Sequence, residues 1–137
     1  MNPRIKNALY VIASVLTGGI LNMGIIMLGS KIIPPPEGAV LTTMEGLKSS
    51  MHLMQPKHFL MPFIAHAAGT LAAAFMVVKL VSKNHLNYAL GIGVWFLIGG
   101  IMNIFMLPSP TWFTIVDLAG AYLPMAFIGY KLALPKH

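Results

Sequence analysis

Four long apolar stretches take up most of this chain, and they decide what it can become. Asn7 to Ile33 is free of charge until Lys31, and His58 to Ser82 until Lys79. Leu86 to Leu107 carries no charged side chain, and Thr111 to Leu134 is interrupted by Asp117 and Lys131. A helix that crosses a bilayer needs roughly 20 mostly apolar residues. The expected fold is therefore all-α: an integral membrane four-helix bundle with spans 7–33, 58–82, 86–107 and 111–134. No connection is long enough to separate two units, so residues 1–137 read as one transmembrane domain. Composition excludes the alternatives. Charged residues make up 9% of the chain and hydrophobic ones 57%, whereas soluble domains carry about 25% charged residues. A water-facing surface cannot be built from that supply, which excludes a soluble enzyme, a disordered tail and a disulfide-stapled secreted domain. There is no cysteine, hence no thiolate metal site and no cysteine nucleophile.

The ends of these stretches carry further information. Arg4 and Lys6 give the first stretch a basic start like that of a signal peptide. A signal core runs about 7–15 residues to a small-residue cleavage site. This run is much longer and ends in Lys31-Ile32-Ile33-Pro34-Pro35-Pro36, so it is expected to stay as the first helix. The three prolines stop that helix, because proline lacks the amide and clashes with the preceding turn. In the long connection Glu37 to Lys57, Met44, Leu47, Met51 and Met54 recur at helical spacing. They predict a short interfacial helix between the first two spans, against the plainer reading of an irregular loop. With the N-terminus inside, Arg4, Lys6, Lys79, Lys83, Lys131 and Lys136 face the cytoplasm, against Lys31, Lys48 and Lys57 outside. That excess predicts that both termini are cytoplasmic. The net charge of +6 then reflects topology and attraction to membrane lipid. Nucleic acid is not an expected partner, because no concentrated basic patch with stacking aromatics occurs.

An internal repeat is visible. Gly18-Gly19-Ile20-Leu21-Asn22-Met23 matches Gly99-Gly100-Ile101-Met102-Asn103-Ile104, and His66-Ala67-Ala68-Gly69 matches Asp117-Leu118-Ala119-Gly120 more weakly. Two helical hairpins related as parallel repeats are one explanation. Coincidence in an alphabet rich in Gly, Ile and Met is the other.

Polar side chains inside a membrane are costly unless paired. Asn22, His66, Asn103 and Asp117 form the candidate polar cluster. Asp117 lies roughly 7 Å below Trp112 and His66 about 12 Å below His58 at the rise of an α-helix, so the cluster belongs to the outer half of the bilayer. Each shares a helix face with small residues, Gly18, Gly19, Gly69, Gly99, Gly100 and Gly120 among them, and such residues mark close helix packing. An imidazole–carboxylate contact between His66 and Asp117 follows. It has two readings: a pair that fixes helix register, or a proton-linked site. The asparagines read as interhelical glue. His52, His58 and Glu45 lack the spacing of a known metal site, and no cofactor motif is present. The eleven methionines read as apolar filler, and Pro124 predicts a kink in the last span.

Several segments resemble a widespread bacterial family of small four-span integral membrane proteins of unknown function. They are Gly29 with Ile32-Ile33-Pro34-Pro35-Pro36-Glu37-Gly38, Ala65-His66-Ala67-Ala68-Gly69-Thr70, Pro108-Ser109-Pro110-Thr111-Trp112-Phe113, and Leu123-Pro124-Met125-Ala126 through Gly129. The resemblance implies the four-span fold and supplies no activity. The family pattern often has an acidic residue near Ile26 and a histidine near Ser30 or Ser109; this chain has neither.

Three functional classes follow. The leading expectation is a non-enzymatic structural or accessory subunit of a homo-oligomeric or larger membrane complex. The alternative is a minimal transporter or channel for a proton or small solute, using His66 and Asp117. The most remote is a membrane enzyme using the outer histidines and Glu45 with a metal.

Overall fold

The computed structural model describes residues 1–136. Among them the only regular structure is helical. The first helix, α1 (Pro3–Ile32), begins four residues earlier than the apolar stretch suggests. Asn2 Oδ1 accepts the Arg4 amide at 2.9 Å and Pro3 fills the first helical turn, where a missing amide costs nothing. It ends as the Ile33 amide donates to the Gly29 carbonyl at 2.8 Å, ahead of the proline run.

The connection contains the expected helix, α2 (Met44–Ser50), capped by Thr43 Oγ1, which accepts the Gly46 amide at 3.0 Å. It is shorter than the methionine spacing implies. At Met51 the chain tightens into a 3₁₀ turn, so Met54 leaves the helical face. What α2 buries is Gly46 and Ser50 rather than Met44. Ser50 Oγ accepts the Val40 amide at 2.8 Å, which folds the connection back on itself.

The second span joins a 3₁₀ turn, Pro56–Phe59, to α3 (Leu60–Leu80). A tight turn leads to α4 (His85–Met106), with Asn84 in the left-handed region at φ 58, a conformation that asparagine tolerates better than most residues. The fourth span is two helices, α5 (Thr111–Gly120) and α6 (Leu123–Ala133). The break corrects the expectation of a kinked single helix. Pro124 has no amide to donate and its ring excludes the carbonyl four residues back. The helix therefore stops at Gly120 and restarts past Ala121 and Tyr122.

Among the described residues, four helical stretches are long and apolar enough to cross a membrane: Pro3–Ile32, Pro56–Leu80, His85–Met106 and Thr111–Ala133. The burial pattern is inverted relative to a soluble protein. Phe105 is 85% and Ile20 74% exposed, whereas Ser14 and Thr70 are fully buried. Such an exterior is stable only in lipid. The chain is a multi-pass membrane protein with an all-α bundle.

α3 is the central element, packed on α1, α4 and α6. Of its apolar stretch 44% is buried, against 11% for α1 and 17% for α4. α1 and α3 meet glycine to glycine. A Cβ built on Gly18 lies 2.5 Å from the Gly69 carbonyl oxygen, and one on Gly69 lies 2.7 Å from that of Gly18. α1 and α4 barely touch, and Phe96 reaches across to Gly18. The two repeated segments do not make equivalent contacts. Gly18 is the packed glycine of the first doublet, but in the second it is Gly100, where a Cβ would lie 2.5 Å from Tyr122 Oη. α4 also packs on α3, with no comparable packing of α1 on α6.

Candidate functional site

The break in the fourth span places the most polar group in the bundle. Asp117 sits one turn before the end of α5 and is 6% exposed. His66, in the first third of α3, brings Nδ1 to 2.8 Å from Asp117 Oδ1. With the ring proton on Nδ1, His66 donates to the carboxylate. Tyr122, in the gap between α5 and α6, donates its hydroxyl to Asp117 Oδ2 at 2.9 Å. The His66 and Tyr122 rings stack with centroids 5.9 Å apart and planes 23° from parallel. One carboxylate thus ties α3 to both halves of the fourth span. Both of its oxygens are satisfied, as a buried carboxylate requires.

Sequence reasoning found the His66–Asp117 contact and missed Tyr122. The one related signal is Pro124, which marks a disturbance in the span without telling which way Tyr122 turns. Gly100 completes the arrangement, since a side chain there would occupy the position of the tyrosine hydroxyl.

Asn22 and Asn103 reach the same region but not the same bonds. Together with His66, Gly69, Phe96, Gly99, Gly100 and Tyr122 they line a cavity of about 360 Å³ between α1 and α4. Neither asparagine is hydrogen-bonded through its side chain to a described residue, and Oδ1 of Asn22 is buried without a partner. The expectation that the asparagines act as interhelical glue is therefore corrected: α1 and α4 barely touch, and Asn103 is exposed at the rim. Among the glycines, Gly18, Gly69 and Gly100 pack tightly, and Gly120 makes ordinary contact with the Phe63 ring at 3.4 Å. Gly19 and Gly99 have nothing within 4 Å of a built Cβ and are not packing positions within the chain.

Away from this layer, toward the chain ends, the core is apolar, built from Ala73, Ala74, Val77, Val78, Ala89, Ile92 and Ala126. Two fully buried hydroxyls within the spans bond their own helices. Ser14 Oγ donates to the Tyr10 carbonyl at 2.7 Å and Thr70 Oγ1 to that of His66 at 2.8 Å. Near the chain ends Asn7 Nδ2 donates to Tyr88 Oη at 3.0 Å. At the entry to the second span, His58 Nδ1 accepts the Gln55 amide at 2.8 Å. Among the described residues, no three acidic or histidine side chains gather as a metal site would require.

These features define a multi-pass membrane bundle with one buried carboxylate-centred cluster. Comparison with protein families, curated proteins and solved structures finds no match to this chain.

Proposed function

We propose that this chain is a non-enzymatic subunit of a bacterial inner-membrane assembly, either homo-oligomeric or accessory to a larger complex. It is grouped with the small four-span bacterial proteins whose segments it resembles. The observation that carries this reading is the uneven use of the four spans. α3 is enclosed, but α1 and α4 bury only 11% and 17% of their apolar stretches. On them Gly24 and Gly91 have nothing within 4 Å of a built Cβ. Small residues allow close helix approach in membranes, and these two are open to helices of other chains. The apolar core between the His66 layer and the chain ends supports a subunit over a conductor of protons, which would need polar groups to continue through it. Lysine and arginine placement supports cytoplasmic termini.

In mild detergent the protein is expected to run at a multiple of its own mass or with a copurifying partner. Gly24→Leu or Gly91→Leu is expected to lower that mass while helicity is retained. A strict monomer with no partner contradicts the reading. For orientation, an impermeant thiol reagent added to spheroplasts should label Ser49→Cys and spare Lys83→Cys; the reverse pattern inverts the topology.

A further inference from the structure

We propose that the cavity between the outer halves of α1 and α4 is a binding site for a lipid-soluble hydroxylated ring, a phenol-class ligand that enters sideways from the bilayer. The inference goes beyond the subunit reading and stands without it.

The cavity combines features that ordinary helix packing does not need. Its volume of about 360 Å³ falls at the small end of the range of roughly 300–1,000 Å³ for ligand pockets. That suits one ring rather than a long chain. Its walls are apolar or aromatic, with Met23, Ile26 and Phe96 among them. Phe96, reaching across to Gly18, separates this space from the apolar cavity of Val11, Val15 and Ile92 further along the same seam. Met23, Gly99 and Asn103 are exposed at the rim, so the opening faces the lipid rather than either aqueous side.

The polar groups set the chemistry. Asn22 Oδ1 is buried with no partner, an arrangement that is destabilising unless something hydrogen-bonds to it. His66 commits Nδ1 to Asp117, and its Nε2 has no partner among the described residues. A phenol hydroxyl donates its one proton to Asn22 Oδ1; with the ring proton on Nδ1, His66 Nε2 is a second acceptor lining the same cavity. The rings of Phe96 and Tyr122 offer an aromatic guest favourable offset or edge contacts. Gly99 leaves room where any side chain would protrude: a Cβ there meets nothing within 4 Å.

Gly99 also supplies the test. Gly99 lines the cavity and a Cβ there meets nothing within 4 Å, so Gly99→Leu is expected to narrow the opening while the fold survives. The probe is 4-hexylphenol, titrated into the full chain in lipid nanodiscs, with 4-hexylanisole as the ether that cannot donate. Saturable binding above partition into empty discs is expected for the phenol. Affinity should fall about tenfold for the ether and at least about tenfold for Gly99→Leu, the factor set by one lost hydrogen bond or by steric exclusion. In histidine-labelled protein, the ¹⁵N resonance of His66 Nε2 should move with occupancy. Non-saturable partition, equal affinity for phenol and ether, or binding unchanged by Gly99→Leu overturns the proposal. The mass of wild type and variant without ligand reads assembly separately. An assembled protein that takes up no phenol contradicts the site alone, and a monomer that binds it contradicts the subunit reading alone.

Discussion

Gly18→Leu is expected to destroy the packing of the first two spans, while Gly19→Leu, one residue further on, leaves the fold intact. A Cβ at Gly18 lies 2.5 Å from the Gly69 carbonyl oxygen and 2.8 Å from Ala73 Cβ, and one at Gly19 meets nothing. The obstacle at Gly18 is backbone, which no rotamer change can move aside. Overpacking that forces a backbone shift costs about 1–3 kcal/mol and sometimes more. Here α1 rests on α3 almost alone, so relief comes only by lifting the helix away. We expect a loss of about 3 kcal/mol or more for Gly18→Leu and a change within about 0.5 kcal/mol for Gly19→Leu. Unfolding in mixed micelles followed by circular dichroism measures both. Equal effects at the two positions would remove the glycine contact from the account.

The second large effect is expected at Asp117. Its carboxylate receives both the His66 ring and the Tyr122 hydroxyl. Interhelical polar contacts in a membrane average only about 0.6 kcal/mol each, so two such bonds alone predict a modest loss. Removing the shared acceptor does more, because it leaves two buried donors without a partner, each costing about 1–3 kcal/mol. Asp117→Leu is therefore expected to cost about 2–5 kcal/mol, and Tyr122→Phe about 1 kcal/mol, since phenylalanine keeps the ring and deletes one bond. His66→Leu combined with Asp117→Leu should recover part of the loss, because one stranded donor disappears with the histidine. A double variant as unstable as the sum of the singles would show that the two residues are not coupled.

The spans were legible because charge is nearly absent from them, and their ends because prolines and polar turns punctuate the sequence. The His66–Asp117 contact was legible for a related reason: few polar groups exist in the interior, and both lie beside glycine or alanine at helical spacing. Tyr122 was not legible, because a mid-span proline signals a disturbance but not how the freed residue turns. The glycine doublets show a second limit. Adjacent residues point about 100° apart on a helix, and only the packed structure tells which of Gly18 and Gly19, or Gly99 and Gly100, faces a neighbour. The seam between α1 and α4 was invisible for the same reason. Residue spacing predicts that a face turns inward, not that two inward faces stay apart, and that separation leaves Asn22 without a hydrogen bond.

Within an apolar exterior, one carboxylate is shared by His66 of α3 and Tyr122 of the fourth span. The most direct measurement is a ¹⁵N–¹³C dipolar coupling between His66 Nδ1 and the Asp117 carboxyl carbon, recorded by solid-state NMR on the labelled protein in lipid bilayers. A strong coupling, as the 2.8 Å Nδ1–Oδ1 distance requires, is the predicted result. No measurable coupling in folded protein would contradict the account.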